Sequence, residues 1–151
     1  MTLRVLSPVA GQVIPLTDVP DPVFAQAMVG PGVAVRPESA AGDAVSPVDG
    51  TVVTLHPHAF VVATADGAAV LVHLGIDTVK LKGEGFTLHV VKGESVRAGQ
   101  AVIGWDPAAV EQGGRSAICP VIALDAGVDS LIEVRGRGPI AAGDLLFTWE
   151  R

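Results

Sequence analysis

The sequence predicts an all-β fold: an antiparallel β-sandwich or barrel built from duplicated hairpin units, with one or two short helices. Three observations carry this. Eighteen glycines and eleven prolines lie without a period among short Val- and Ala-rich runs, a composition of many turns and short strands. Helical patterning is scarce. The chain also repeats itself: SPVAGQVIPL (Ser7 to Leu16) and SPVDGTVVTL (Ser46 to Leu55) agree at six of ten positions. VRAGQAVIGW (Val96 to Trp105) and IAAGDLLFTW (Ile140 to Trp149) share an Ala-Gly pair and a closing Trp. Two copies of each kind indicate a duplicated unit with pseudo-twofold character rather than a solenoid.

In chain order, the first SPV unit sets a turn and then an apolar strand. DPVFAQAMV (Asp21 to Val29) reads as a short helix, with Asp21 as N-cap and Pro22 at its first position. Val33 to Arg36 reads as a strand, and the second SPV unit repeats the turn and strand. The runs Ala59 to Ala63 and Val70 to Val72 flank ADG (Ala65 to Gly67) and read as a β-hairpin. Further strands are expected at Phe86 to Val91, Ala117 to Leu124 and Leu131 to Val134. PAAVEQGG (Pro107 to Gly114) reads as a second helix stopped by its glycines. No linker is long enough to divide the chain, so residues 1–151 are read as one domain.

Composition narrows the function classes. A net charge of −6 without a Lys/Arg cluster argues against nucleic acid and suits a partner with a basic face. No apolar run approaches the ~20 residues that span a bilayer, so the chain is not expected to cross a membrane. MTLRVLSPV lacks the apolar core of a signal peptide, and the single Cys119 has no internal partner. A cytoplasmic setting is therefore expected, with Cys119 a small buried hydrophobe. No P-loop or Rossmann glycine pattern is present, which argues against a nucleotide site.

The chemistry concentrates on histidine, of which there are four. His73 ends the Val70 to Val72 run, just before the break at Gly75 and a loop containing Asp77, Thr78 and Gly83 to Gly85. His58 stands just before the partner run, so an antiparallel hairpin makes the two imidazoles neighbours. One neutral imidazole can attack as a nitrogen nucleophile while the other steadies an anion, a division that suits phosphoryl transfer. His56 and His89 are read as packed or solvated residues. A second reading takes the same residues as zinc ligands. His56-Pro57-His58 and the His73 to Asp77 pair have the HxH and HxxxD spacings of lysostaphin-type peptidoglycan endopeptidases, although in reversed order. That chemistry needs three converging ligands and an open position. The glycine pattern around Gly99 and Gly143 resembles biotinyl and lipoyl carriers, but no lysine lies between methionines for attachment.

HLGIDTVKLKGEGF (from His73), DVPDPVFAQAMVGPGVAVRP (from Asp18), SPVDGTVV, the HAF at His58 and VRAGQAVI together resemble the glucose-type IIA components of the bacterial phosphoenolpyruvate-dependent sugar phosphotransferase system. The similarity runs over nearly the whole chain. It implies an antiparallel β-sandwich and a phosphotransferase component that works during sugar uptake. By that resemblance His73 carries the phosphoryl group on its tele nitrogen, and His58 stabilises the phosphate. HPr would donate, and a cysteine on the IIB domain of a membrane sugar permease would accept. No cofactor or metal is required, the phosphoryl group coming from phosphoenolpyruvate through enzyme I and HPr, though the His58–His73 pair is suited to take zinc opportunistically. The implied docking face is an apolar patch of Val23, Phe24, Met28, Val29, Phe60, Leu71 and Val79, with Asp21 and Asp77 on its rim. The rim carboxylates would speed encounter with a basic partner.

Two departures from the family pattern stand out. The loop before His58 is the short His56-Pro57, where many relatives have a longer loop with a Thr that contacts the active imidazole. A backbone carbonyl, a water or His56 is then left to orient His73. The chain also starts almost at its first strand, so the amphipathic membrane tail of some relatives is not expected. The resemblance implies that the sugar does not touch this domain, so glucose, N-acetylglucosamine and β-glucosides stay equally open.

Overall fold

Both SPV tripeptides form the same local structure, and the fold is laid out around them. In the computed structural model, which describes residues 2–151, Ser7 and Ser46 are fully buried. Each hydroxyl donates to the carbonyl two residues on, Val9 and Val48, at 2.7 Å in both. A buried hydroxyl needs such a partner, and this one fixes the turn. The two arms then cross. Leu6 N–H donates to the Pro47 carbonyl and Val45 N–H to the Pro8 carbonyl, both at 2.9 Å. Ser7 N–H donates to Asp144 and Ser46 N–H to Gln100, while the amides of Gly143 and Gly99 return to the serine carbonyls. Gly99 and Gly143 both sit at φ +89°, where a side chain is strained. The early and late repeats of the sequence are thus halves of one knot, present twice.

The strands are β1 (Thr2–Leu6), β2 (Gly11–Pro15), β3 (Gly32–Pro37), β4 (Gly42–Val45), β5 (Gly50–His56), β6 (Ala59–Ala63) and β7 (Ala69–His73). They continue as β8 (Thr87–Leu88), β9 (Ser95–Val96), β10 (Ala101–Trp105), β11 (Cys119–Ala123), β12 (Leu131–Ile132), β13 (Gly138–Ile140) and β14 (Leu145–Glu150). Two short helices, α1 (Pro22–Ala25) and α2 (Pro107–Gln112), lie between them. An eight-stranded sheet runs β13-β2-β3-β11-β7-β6-β5-β9, with three-stranded sheets β1-β14-β12 and β4-β10-β8 beside it. The small sheets match as the SPV arms do, β1 with β4 and β14 with β10. In the large sheet β2 and β5 hold matching places on either side of the β11–β7 centre.

Period-two alternation divides the large sheet into two faces. Val13, Val33, Val35, Phe60, Val62, Val70, Val72 and Val121 enter the main core with Val5, Ile103, Trp105, Phe147 and Trp149 of the small sheets. This is the sandwich interior. Their neighbours Ile14, Ala34 and Ile122 point the other way and form a second cluster with Leu16, Val19, Phe24, Ile76 and Ile118. The turn Leu16–Asp18 and α1 cover that outer face.

Several elements are shorter than the sequence predicts. Of Phe86 to Val91 only β8 pairs, and of Leu131 to Val134 only β12, because glycine-rich turns flank both runs. The helix read over Asp21 to Val29 is a single turn. Asp21 caps it, accepting from Val23 N–H at 2.9 Å. Ala27 then takes φ +53°, with Ala27 N–H donating to Phe24 and Met28 N–H to Val23. This is a Schellman ending in which alanine holds the position usually given to glycine.

The crossed arms generate a stability test. Ser7→Ala and Ser46→Ala each remove one buried donor and should each cost roughly 1–2 kcal/mol by urea unfolding. The arms share a hydrogen-bond network, so the double variant should depart measurably from the sum. Additive losses would mean that the two turns act independently.

Candidate functional site

His73 is the last residue of β7, and Leu71, two residues before it, lies against the outer cluster. His73 therefore shares the outer face, where the Phe24 ring backs it at 5.3 Å between centroids, tilted by 58°. Its Nδ1–H donates to the Gly75 carbonyl at 2.5 Å. A carbonyl can only accept, so this bond places the proton on Nδ1 and leaves the Nε2 lone pair available. The carbonyl is itself held rigidly. Gly75 sits at φ +81°, and a Cβ there would lie 2.7 Å from Thr78 Cγ2 and 2.8 Å from the Ser116 carbonyl oxygen. Thr78 Oγ1 donates to the Leu74 carbonyl at 2.8 Å, and Ile76 N–H donates to the Ser116 carbonyl at 2.9 Å. Of the three candidates for orienting His73, a backbone carbonyl is the one found.

His58 stands across the ladder. β6 and β7 pair Ala59 with His73, and Leu74 N–H donates to the His58 carbonyl at 2.7 Å. The imidazoles of His58 and His73 meet edge to face, 5.2 Å between centroids. On the far side of His58 the ring of His56 stacks at 5.7 Å and 20°. β5 pairs His56 with Ala59, so Pro57 and His58 alone make the turn. The GEG loop supports that turn: Gly83 lies against Pro57, where a Cβ would come within 3.3 Å of the proline ring. Phe86, stacked on Trp105 at 6.1 Å, anchors the loop to the core. His89 pairs instead with Asp43 at 2.8 Å.

Both site imidazoles are held neutral. Burial, then the neighbouring His73 and His56, lowers His58 to about 4. Burial also lowers His73, opposed by the Gly75 carbonyl and by the carboxylates of Asp21 and Asp77. A neutral imidazole with a free Nε2, beside a second neutral imidazole able to donate, is equipped to take and hold an anionic electrophile.

The apolar residues sort differently from the sequence expectation. Val23 (41% exposed), Met28 (67%) and Val79 (58%) do present surface, while Val29 and Leu71 are half-buried against the outer cluster. Asp21 is half-buried and Asp77 exposed. Phe60 does not belong with them. It is fully buried in the main core, because strand parity pairs it with Val72 and leaves Val61, opposite Leu71, on the outer face. Phe24 is likewise buried, its single helical turn pointing it at the sheet, and it forms the wall behind His73. For the zinc reading, no group of three or more His, Cys, Asp or Glu able to hold a metal occurs among the described residues. His56 and His58 stack face to face there. Nor is any described helix long and apolar enough to cross a membrane.

The fold and site together are an antiparallel sandwich carrying, at a strand end, a histidine whose tautomer a backbone carbonyl fixes. The chain belongs to the family described as phosphoenolpyruvate-dependent sugar phosphotransferase system, EIIA 1, which matches residues 3–127. It is 45% identical over 135 residues to the PTS system glucose-specific EIIA component of Oceanobacillus iheyensis, covering 88% of this chain and 79% of that protein. Its fold matches the glucose permease IIA from Mycoplasma capricolum with a TM-score of 0.90 at 36% identity, over 98% of this chain and 96% of that one.

The lowered histidines predict how stability responds to pH. In the unfolded chain His58 titrates near 6.5 and in the fold at about 4, so between these values the unfolded state binds more protons. Stability is then fully present above about 6.5 and falls as pH drops towards 4; the lowered His73 acts in the same direction. The thermal midpoint should decline across this window, and less steeply in His58→Gln. An equally steep decline in that variant would assign the loss to other groups.

Proposed function

We propose that the chain is a histidine phosphocarrier, taking a phosphoryl group from phospho-HPr onto Nε2 of His73 and passing it to a cysteine of a IIB domain. The observation that carries this reading is the Nδ1–H bond from His73 to Gly75, which directs the nucleophilic lone pair away from the loop. In the first step the bond between phosphorus and the HPr imidazole breaks as the bond to Nε2 forms, and the electron pair leaves with HPr. The transition state is loose, so what counts is alignment and donors for the equatorial oxygens. His58 stands where its ring N–H can serve as such a donor.

The phosphorylated ring keeps its Nδ1 proton and becomes cationic. The Gly75 carbonyl and the carboxylates of Asp21 and Asp77 all favour positive charge on His73, so the same groups that position the nucleophile stabilise the carrier form. In the second step a thiolate attacks phosphorus, the P–Nε2 bond breaks, and the pair returns to His73. Val23, Met28 and Val79, exposed on the face that holds His73, form the apolar contact for both partners in turn, rimmed by Asp21 and Asp77.

Incubation with phosphoenolpyruvate, enzyme I and HPr, read by intact mass, should add one acid-labile phosphoryl group per chain. His73→Ala should add none; undiminished labelling would remove His73 from the role. His58→Gln should still accept, with onward transfer to IIB slowed on the order of tenfold, since Gln retains a donor where full loss of one costs ~100-fold. Equal slowing of both steps would make His58 a general shaper of the site. Transfer should also persist in a chelator that spares the magnesium of enzyme I, with micromolar zinc inhibiting through the His58–His73 pair. Loss of transfer on chelation would make a metal part of the mechanism.

A further inference from the structure

His73 has a hydrogen bond to hold its ring. Among the described residues no side-chain hydrogen bond fixes either ring nitrogen of His58, although it is the group that must present a donor to the phosphoryl oxygens. Two imidazoles lie against its ring, His73 edge to face at 5.2 Å and His56 stacked at 5.7 Å and 20°. We propose that His56 is a positioning residue for phosphoryl transfer, its stacked ring holding the imidazole of His58 turned towards His73. This role rests on the phosphocarrier reading above.

The local backbone makes the arrangement rigid. β5 ends on His56 and β6 begins at Ala59, paired with each other, so only Pro57 and His58 span the turn. Proline restricts that backbone, and Gly83 of the neighbouring loop lies against it. His56 and His58 are therefore presented side by side from a two-residue turn. Offset stacking of flat rings at this separation is favourable beyond the area it covers, and it restricts rotation about the His58 side chain without occupying either nitrogen. His56 also contributes to keeping His58 neutral before phosphate arrives.

His56 is exposed, so substitutions there should fold. His56→Ala removes the stack; His56→Phe keeps a flat ring without nitrogens. The alanine variant should slow transfer from phospho-HPr and onward transfer by about 2- to 10-fold, and phenylalanine should restore both to within about twofold. NMR titration of the His58 ring, which needs no partner, supplies the second readout. The midpoint should rise from about 4 in the alanine variant, because burial is the leading cause of its depression. The phenylalanine variant should recover most of that shift. An alanine variant with the parent's rates and an unmoved His58 midpoint overturns the role, as does a phenylalanine variant as slow as alanine. A parent chain that takes no phosphoryl group overturns the phosphocarrier reading and this role with it. A parent that is labelled normally beside an unaffected alanine variant overturns this role alone.

Discussion

The crossing of the two SPV arms is the constraint on which the architecture depends. Leu6 and Val45 each donate into the other arm, and buried Ser7 and Ser46 hold the turns that make the crossing fit. From that knot β1 and β4 depart into the small sheets, and β2 and β5 into the large one. The second repeat, at Gly99 and Gly143, closes each turn from outside. Two otherwise separate sets of hairpins are thereby joined into one sandwich with a shared interior. The site inherits its rigidity from this, because β6 and β7 lie deep within a sheet braced on both flanks.

On that frame the chemistry depends on very little. A strand end places His73, a glycine carbonyl sets its tautomer, and a two-residue turn brings His58 beside it. Burial favours the neutral form of both rings, and the Asp21 and Asp77 carboxylates pull His73 the other way, towards its cationic form. Asp21 serves twice, capping α1 with one oxygen while its charge acts on His73. The Phe24 presented by that helical turn is the wall behind the imidazole.

Much of this was legible in the residues. The SPV repeat announced the duplication, the apolar runs around ADG announced the hairpin, and hairpin geometry alone paired His58 with His73. Asp21-Pro22 announced the helix start. Other features leave weaker traces. The Gly75 carbonyl has no side chain to mark it; its signal is only a glycine two residues after a histidine. The stack of His56 on His58 depends on a register that composition does not reveal. Phe60 is different, since counting by twos from Val62 places it inside, and similarity to a family's docking face is no substitute for that count. The strands Thr87–Leu88 and Leu131–Ile132 pair over two residues each, shorter than their β-rich runs, because turns close in on both sides.

The two faces of the large sheet carry a consequence for how such a protein can diversify. The interior face is shared by all three sheets, and a change at Phe60 or Val72 is felt by the whole sandwich. The outer face supports a smaller cluster of its own, which includes Phe24 of the one helical turn, and Val29 and Leu71 pack against it. Substitutions at exposed Val23, Met28 or Val79 can therefore change the character of this surface without being vetoed by folding. A lineage that duplicates this gene has a surface free to vary, while His73 and the glycine that holds its ring stay in place.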